Sequence, residues 1–269
     1  MSSYLAEKTD PGSFDSRIDP PDASSPHFTL TLVLRLFFRL ANPPGKSRFA
    51  RVKDFDGNSV LTRRWDRAAW IRFWTEFRYQ VYSAWTLAFL LTPPDDYDAF
   101  VWPTGKGTRR RVISGIDVRA QDVEAGSHAT ITLIRMAVPG THAFRSDDFT
   151  MDSDDVQPQT VHGFGASWVR HTAGHEIGHL LGLQHVNQSS LECRRGLETG
   201  RSGVCYGANL PDRLNVMGGG DALDLRNAQP WVDRIALHTK VPASSWKVDW
   251  ASEDASLRGL DSVQVGVRS

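Results

Sequence analysis

Cysteine is almost missing from this chain. Its two cysteines, Cys193 and Cys205, sit close together in the C-terminal half. With glycines between them, they read as the two ends of a stapled loop. A disulfide there would close about a dozen residues and contribute ~3 kcal/mol in the chain-entropy view. It would also point to an oxidising destination; the alternative is a pair of free thiols in a cytosolic protein. No histidine lies between them, which argues against a second zinc site in that loop. An excess of charge is missing too. Lys plus Arg and Asp plus Glu each number 31, so nothing favours broad attraction to nucleic acid or acidic membranes. The Arg109-Arg110-Arg111 run is short enough to be a solvated strand edge. Long apolar runs are absent as well: residues 28–40 are too few to span a bilayer. Residues 1–26 are polar and rich in Ser, Asp and Pro, without the basic and apolar regions of a Sec signal. The expectation is a cytoplasmic protein, a mature form, or export by a signal-less route.

What is present is a chain of 269 residues, 40% hydrophobic and 10% aromatic. That suffices to bury one large core, with or without appendages. The densest chemistry lies at His175-Glu176-Ile177-Gly178-His179-Leu180-Leu181-Gly182-Leu183-Gln184-His185. His175 and His179 are four apart, so a helix places both imidazoles on one face, one turn apart. Two such rings can chelate one zinc ion at ~2.0–2.1 Å. Glu176 points about 100° around the axis, poorly placed as a ligand but well placed to reach a water on the metal. It is the candidate general base. Gly182 can take positive φ and end the helix abruptly, letting His185 return as third ligand. Three protein ligands leave a fourth position open, as in catalytic rather than structural zinc sites. A bland buried helix would need neither the glycine nor the third histidine.

Elsewhere the pattern is one of alternating strands and helices. Phe28, Leu30, Leu32, Leu34 and Leu36 alternate along a strand over 28–40. Residues 64–84 predict a helix, with Trp70, Phe73, Trp74, Phe77 and Val81 at core spacing. Residues 86–91, 112–118 and 129–138 read as further strands, and Asp54–Asn58 as a hairpin-like turn. The active-site helix is expected near 166–182, capped by Ser167 or Thr160. His171 shares the face of His175 and is expected as a supporting or cleft residue. Residues 146–155 carry Asp147, Asp148, Asp152, Asp154 and Asp155. That stretch could hold Ca2+, with solvated surface the preferred reading. Residues 230–239 predict a terminal helix opened by Pro230.

The long histidine motif, followed by Asn215-Val216-Met217-Gly218-Gly219-Gly220, resembles that of the metzincin zinc metalloproteases, in which a Met-turn follows the three histidines. The resemblance is specific only at 175–185 and around Met217. It implies an α+β or α/β catalytic domain over 28–240: a twisted mixed sheet with an active-site helix up to about 182, then a C-terminal helical subdomain over 183–240. Residues 1–27 would form a flexible N-terminal segment and 241–269 a C-terminal extension. It implies that Met217 is an apolar floor beneath the histidines, and that a strand, here 129–138, offers its edge to substrate. The chain also departs from the family. Val186 follows the third histidine, 31 residues separate His185 from Met217, and no Tyr closely follows Met217. Tyr206 is only a distant substitute. No subfamily can be assigned, and no cysteine precedes the motif to act as a switch. An N-terminal latch would fall to Asp15 or Asp19.

The function these readings predict is a zinc-dependent endopeptidase, binding one catalytic Zn2+ through His175, His179 and His185 with Glu176 as general base. A protein or peptide would be its substrate, and the chain a monomer. Two other readings stand beside it. One is a zinc amidase acting on cell-wall peptides as a toxin, with an inhibitor or immunity protein as partner. The other is a zinc-binding interaction module that no longer cleaves.

Overall fold

A computed structural model describes residues 3–5, 14–21, 27–53, 59–98, 100, 102–104, 107–109, 111–141, 146, 149–198, 202–252 and 264–265. The strands, in chain order, are β1 (Ser3–Leu5), β2 (Asp15–Asp19), β3 (Phe28–Ala41), β4 (Phe49–Lys53), β5 (Ser59–Arg63), β6 (Phe89–Thr92), β7 (Trp102–Thr104), β8 (Gly107–Arg109), β9 (Val112–Gln121), β10 (Ala129–Ile134), β11 (Thr150–Asp152), β12 (Gln159–Gly163), β13 (Ala166–Arg170), β14 (Lys247–Trp250) and β15 (Gln264–Val265). The α-helices are α1 (Arg67–Trp85), α2 (Thr172–Leu180), α3 (Leu191–Glu198), α4 (Leu210–Leu214) and α5 (Gln229–Thr239). The turn expected at Asp54–Asn58, Asp147, Asp148 and Arg110 lie outside the described residues.

An eight-stranded mixed sheet runs β1-β2-β3-β9-β6-β14, with β10 and β11 branching from β3. β3 is its spine. It pairs parallel with β9 over ten residues, antiparallel with β2 at Thr29–Val33 and parallel with β10 at Leu36–Ala41. Thr31 and Val33 are buried along with Leu30, Leu32, Leu34 and Leu36, so both faces of this central strand are covered over that stretch. The even-numbered face feeds the main core: Phe38 makes edge contacts with Trp70, Phe73, Trp74 and Phe77 of α1 at 5.4–6.1 Å.

The helix predicted over 64–84 forms three residues later, because Asp66 caps it by accepting from the Ala69 amide at 2.8 Å. Arg64 and Trp65 are spent on backbone and Asn42 contacts instead. α5 closes the core through Trp231. Its indole stacks on Trp85 at 6.0 Å and donates to the Gly115 carbonyl at 2.9 Å. β14 extends the sheet beyond β6, and Trp250 stacks on Phe89 at 5.8 Å. The early strand β2 likewise pairs along β3.

Two expectations about the strands are corrected. Ala129–Val138 is not a free edge along its length. The strand stops at Ile134, and Thr132–Ile134 pair with β3 on one side and β11 on the other. Residues 166–170 are not helical but pair with 159–163 as a hairpin leading into α2. Ser167 and Thr160 are therefore strand residues and cannot cap the helix. No helix among the described residues is long and apolar enough to cross a membrane.

Candidate metal centre

α2 begins at Thr172, with His171 in the cap position. Asp221 replaces the missing side-chain cap. It accepts from the His171 amide at 2.8 Å and meets the His171 Nδ1 at 2.5 Å. The hydrogen bond to Asp221 raises the His171 pKa, against a smaller opposing effect of burial. His171 thus supports the helix start. At the other end, the Leu183 amide reaches the Gly178 carbonyl at 3.0 Å and the Gly182 amide reaches the His179 carbonyl at 2.8 Å. Gly182 has φ 89°. This is a Schellman termination, which needs a left-handed residue at that point, and it turns the chain back toward the helix as the sequence predicts.

The reversal brings His185 to His175 and His179. The three Nε2 atoms form a nearly equilateral triangle with edges of 3.2, 3.2 and 3.1 Å. Each ring's other nitrogen faces an oxygen. His175 Nδ1 lies 2.6 Å from the Val216 carbonyl, His179 Nδ1 2.9 Å from the Leu183 carbonyl, and His185 Nδ1 3.2 Å from Gln188 Oε1. A carbonyl oxygen can only accept, so each Nδ1 carries the proton and each Nε2 presents a lone pair. Three lone pairs converging without a proton between them repel unless a cation sits among them. A four-coordinate ion with Zn–N bonds of ~2.0–2.1 Å would separate its nitrogens by about 3.3 Å. The donor set therefore fits a divalent metal such as zinc. It is the one group of three or more His, Cys, Asp or Glu among the described residues that could hold a metal. Burial, and then the neighbouring His179, push the His175 pKa well below its usual value, which keeps that ring neutral.

Glu176 follows His175 and is 6% exposed. On the opposite side of α2, Gly174 and Gly178 admit residues from far along the chain. Trp85 donates its indole N–H to the Gly174 carbonyl at 3.1 Å. A Cβ at Gly178 would run into Met217 Sδ and stand 3.2 Å from Trp85 Cζ2. Met217 is buried at 1% exposure, and its carbonyl accepts from the Val186 amide at 3.2 Å. Asn215 holds the preceding turn by accepting from the Met217 amide at 2.8 Å. Gly218 and Gly220 lie so close to the Asp212 and Leu214 carbonyls that neither could carry a side chain.

Cys193 and Cys205 form a disulfide. The loop it closes places Tyr206 against the histidines, 4.0 Å between ring centroids from His185 and 5.7 Å from His175. The sequence alone marks Tyr206 only as a distant substitute and does not single out Gln188. A Gln three residues after the last histidine was the available clue. The latch residues are elsewhere. Asp15 is buried against Arg35 and His128, and Asp19 pairs with Arg17 at 2.9 Å.

Three aspartates of the acidic stretch depart from the solvated surface expected of it. Asp152, Asp154 and Asp155 are all buried. They serve backbone donors in a tight turn: Asp155 accepts from the Asp152 amide at 2.7 Å and from the Ser146 hydroxyl at 2.6 Å, and Asp154 from the Thr141 amide at 3.1 Å. Asp152 in turn accepts from the Asp154 amide. Burial, then the charge of Asp155, raises the Asp152 pKa. These carboxylates do not converge as a calcium site would require. Comparison of the chain with protein-family models, curated proteins and solved structures finds no match.

Proposed function

We propose that this protein is a zinc-dependent endopeptidase of metzincin type. The observation that carries the reading is the triangle of three Nε2 lone pairs, each ring oriented by an oxygen at its far nitrogen, with Glu176 next in chain to the first ligand. The position of Met217 under α2, at the head of a glycine run, supports the family assignment. A zinc ion held by His175, His179 and His185 would supply Lewis acidity toward a peptide carbonyl and toward water. The carboxylate of Glu176 takes a proton from the attacking water and returns it to the departing amine, work worth ~10²–10⁴-fold in rate. Val216, Leu183 and Gln188 hold the imidazole tautomers that keep the three lone pairs available. Such outer partners typically contribute about 10–100-fold in metal affinity or activity.

The test is cleavage of a proteome-derived peptide library by the parent protein and by Glu176→Gln, each with bound zinc quantified. The expected outcome is chelator-sensitive cleavage by the parent and a loss of at least about 10²-fold in the variant, with zinc retained. Equal cleavage by both proteins would remove Glu176 from the mechanism. Cleavage insensitive to chelation would remove the metal.

A further inference from the structure

The three histidines are not held alike. His175 and His179 project from α2, and each has a backbone carbonyl at its Nδ1. His185 lies beyond the helix, and its Nδ1 meets the side-chain amide oxygen of Gln188 at 3.2 Å. It is also less buried than His175. A ligand on a turn needs a further restraint, because a metal site tolerates little displacement of its donors.

Tyr206 stands where that restraint is needed. Its ring lies 4.0 Å from the His185 ring at an interplanar angle of 39°, and 5.7 Å from the His175 ring at 23°. A phenol face against an imidazole that has given its lone pair to a cation is a favourable pairing, because the aromatic quadrupole attracts the electron-poor ring. Tyr206 is immediately preceded by Cys205, whose partner Cys193 anchors α3. The same short segment is laced to the chain just after His185: Asn187 donates its amide to the Cys205 carbonyl at 3.1 Å and its side chain to the Val204 carbonyl at 2.9 Å. The bridge, the strap through Asn187 and the tyrosine ring thus converge on the one ligand that no helix holds.

We infer that Tyr206 is the positioning residue for the metal ligand His185, and that the Cys193–Cys205 bridge holds it in place, so that full metal affinity requires the bridge. This rests on the metal reading proposed above. Forming the bridge joins the two sulfurs, releases two protons and passes two electrons to a small-molecule or protein disulfide, which leaves as two thiols. A chain made in a reducing compartment would then carry a loosened site, completed on reaching an oxidising one.

The experiment measures Co2+ and Zn2+ affinity of the full-length protein by competition with a chromophoric chelator, together with the visible spectrum of bound Co2+. Tyr206→Ala should weaken affinity by about 10–100-fold and alter the Co2+ bands. Tyr206→Phe, which keeps the ring, should restore both. The double variant Cys193→Ser/Cys205→Ser should resemble Tyr206→Ala. So should the parent chain refolded without a disulfide oxidant, and oxidation should recover it; the parent comparison decides the matter even if a variant fails to fold by circular dichroism. Parent-like affinity in Tyr206→Ala and in the reduced parent would overturn the inference while leaving the zinc reading intact. So would a Tyr206→Phe defect as large as that of Tyr206→Ala, since it would assign the effect to the hydroxyl. If the oxidised parent binds neither ion, the proposed function itself is wrong.

Discussion

At the scale of single residues, the spacing of the three histidines is only half of the constraint on α2. The other half is the absence of side chains at Gly174 and Gly178, one turn apart on the flank beside the two ligands and away from Glu176. There Trp85 and Met217 approach the helix backbone. Glycine in a helix interior ordinarily costs about 0.5–1 kcal/mol against alanine, so a bare propensity argument makes Gly178→Ala stabilising. The packing reverses the sign. The new Cβ would meet Met217 Sδ, and Met217 has no room to retreat at 1% exposure. Overpacking of this kind typically costs about 1–3 kcal/mol, which exceeds the propensity gain. Urea unfolding of metal-free protein should show Gly178→Ala less stable than the parent. The double variant Gly178→Ala/Met217→Ala should recover part of the loss relative to Met217→Ala alone, because the steric conflict is gone. A stabilised Gly178→Ala would mean that Met217 does not press on the helix. The motif exposes the ligands because their spacing is local. It does not expose this contact, because Met217 arrives from 39 positions downstream.

At the scale of elements, the turn from Asp152 to Asp155 shows what composition conceals. Clustered aspartates read as surface, yet here each carboxylate answers a backbone or hydroxyl donor inside a buried turn. The sequence cannot show unpaired amides waiting for an acceptor. The consequence is a pH dependence with a definite sign. Burial first, then the charge of Asp155, raises the folded pKa of Asp152 above its ordinary value of about 3.9. The folded state therefore holds a proton that the unfolded chain has released, and stability falls as pH rises from about 4 toward the raised value. One such group gives a slope of at most about 1.4 kcal/mol per pH unit. Asp155, also raised by burial, adds to the slope at its lower end. Asp152→Asn mimics the protonated form and keeps an oxygen for the Asp154 amide. Its urea midpoint should change less between pH 5 and 8 than that of the parent, on the order of one group's worth; parallel curves would place Asp152 in an ionised state after all. Other elements were more legible. α1 and α5 follow a 3.6-residue apolar period that needs no partner to be seen. The start of α2 is not legible in the sequence, because Ala166–Arg170 is claimed as a strand by residues 159–163. The sequence shows β10 as an edge, because its pairing with β11 depends on a three-residue strand too short to announce itself.

At the scale of the whole molecule, the three ligands tie the helix that packs on the core to the segment that follows it. His175 and His179 belong to a helix packed on α1 through Trp85, which in turn stacks on Trp231 of α5. His185 begins the long segment that is tied by the disulfide and returns through Val216 and Met217 under the same helix. An ion among the three rings would link the sheet-and-helix core to that segment, and the converging lone pairs would repel without it. Metal binding should then appear as folding stability. A ligand bound only by the native state, present at about 1,000 times its dissociation constant, adds ~4.1 kcal/mol. For a chain of this size each kcal/mol moves the melting temperature by roughly 2–4 °C, so removal of the metal should lower it by about 8–16 °C. The effect should depend on pH in one direction. Only unprotonated imidazole coordinates, and burial already holds His175 well below its ordinary pKa. The gap between zinc-loaded and chelator-treated protein in calorimetric scans should be wide at pH 7.5 and narrow as acid protonates the ligands. Zinc added back to the chelated sample at pH 7.5 should restore the higher transition. If the two scans superimpose at pH 7.5, the three histidines do not hold an ion that matters to this fold, and the triangle of nitrogens must owe its shape to the backbone alone.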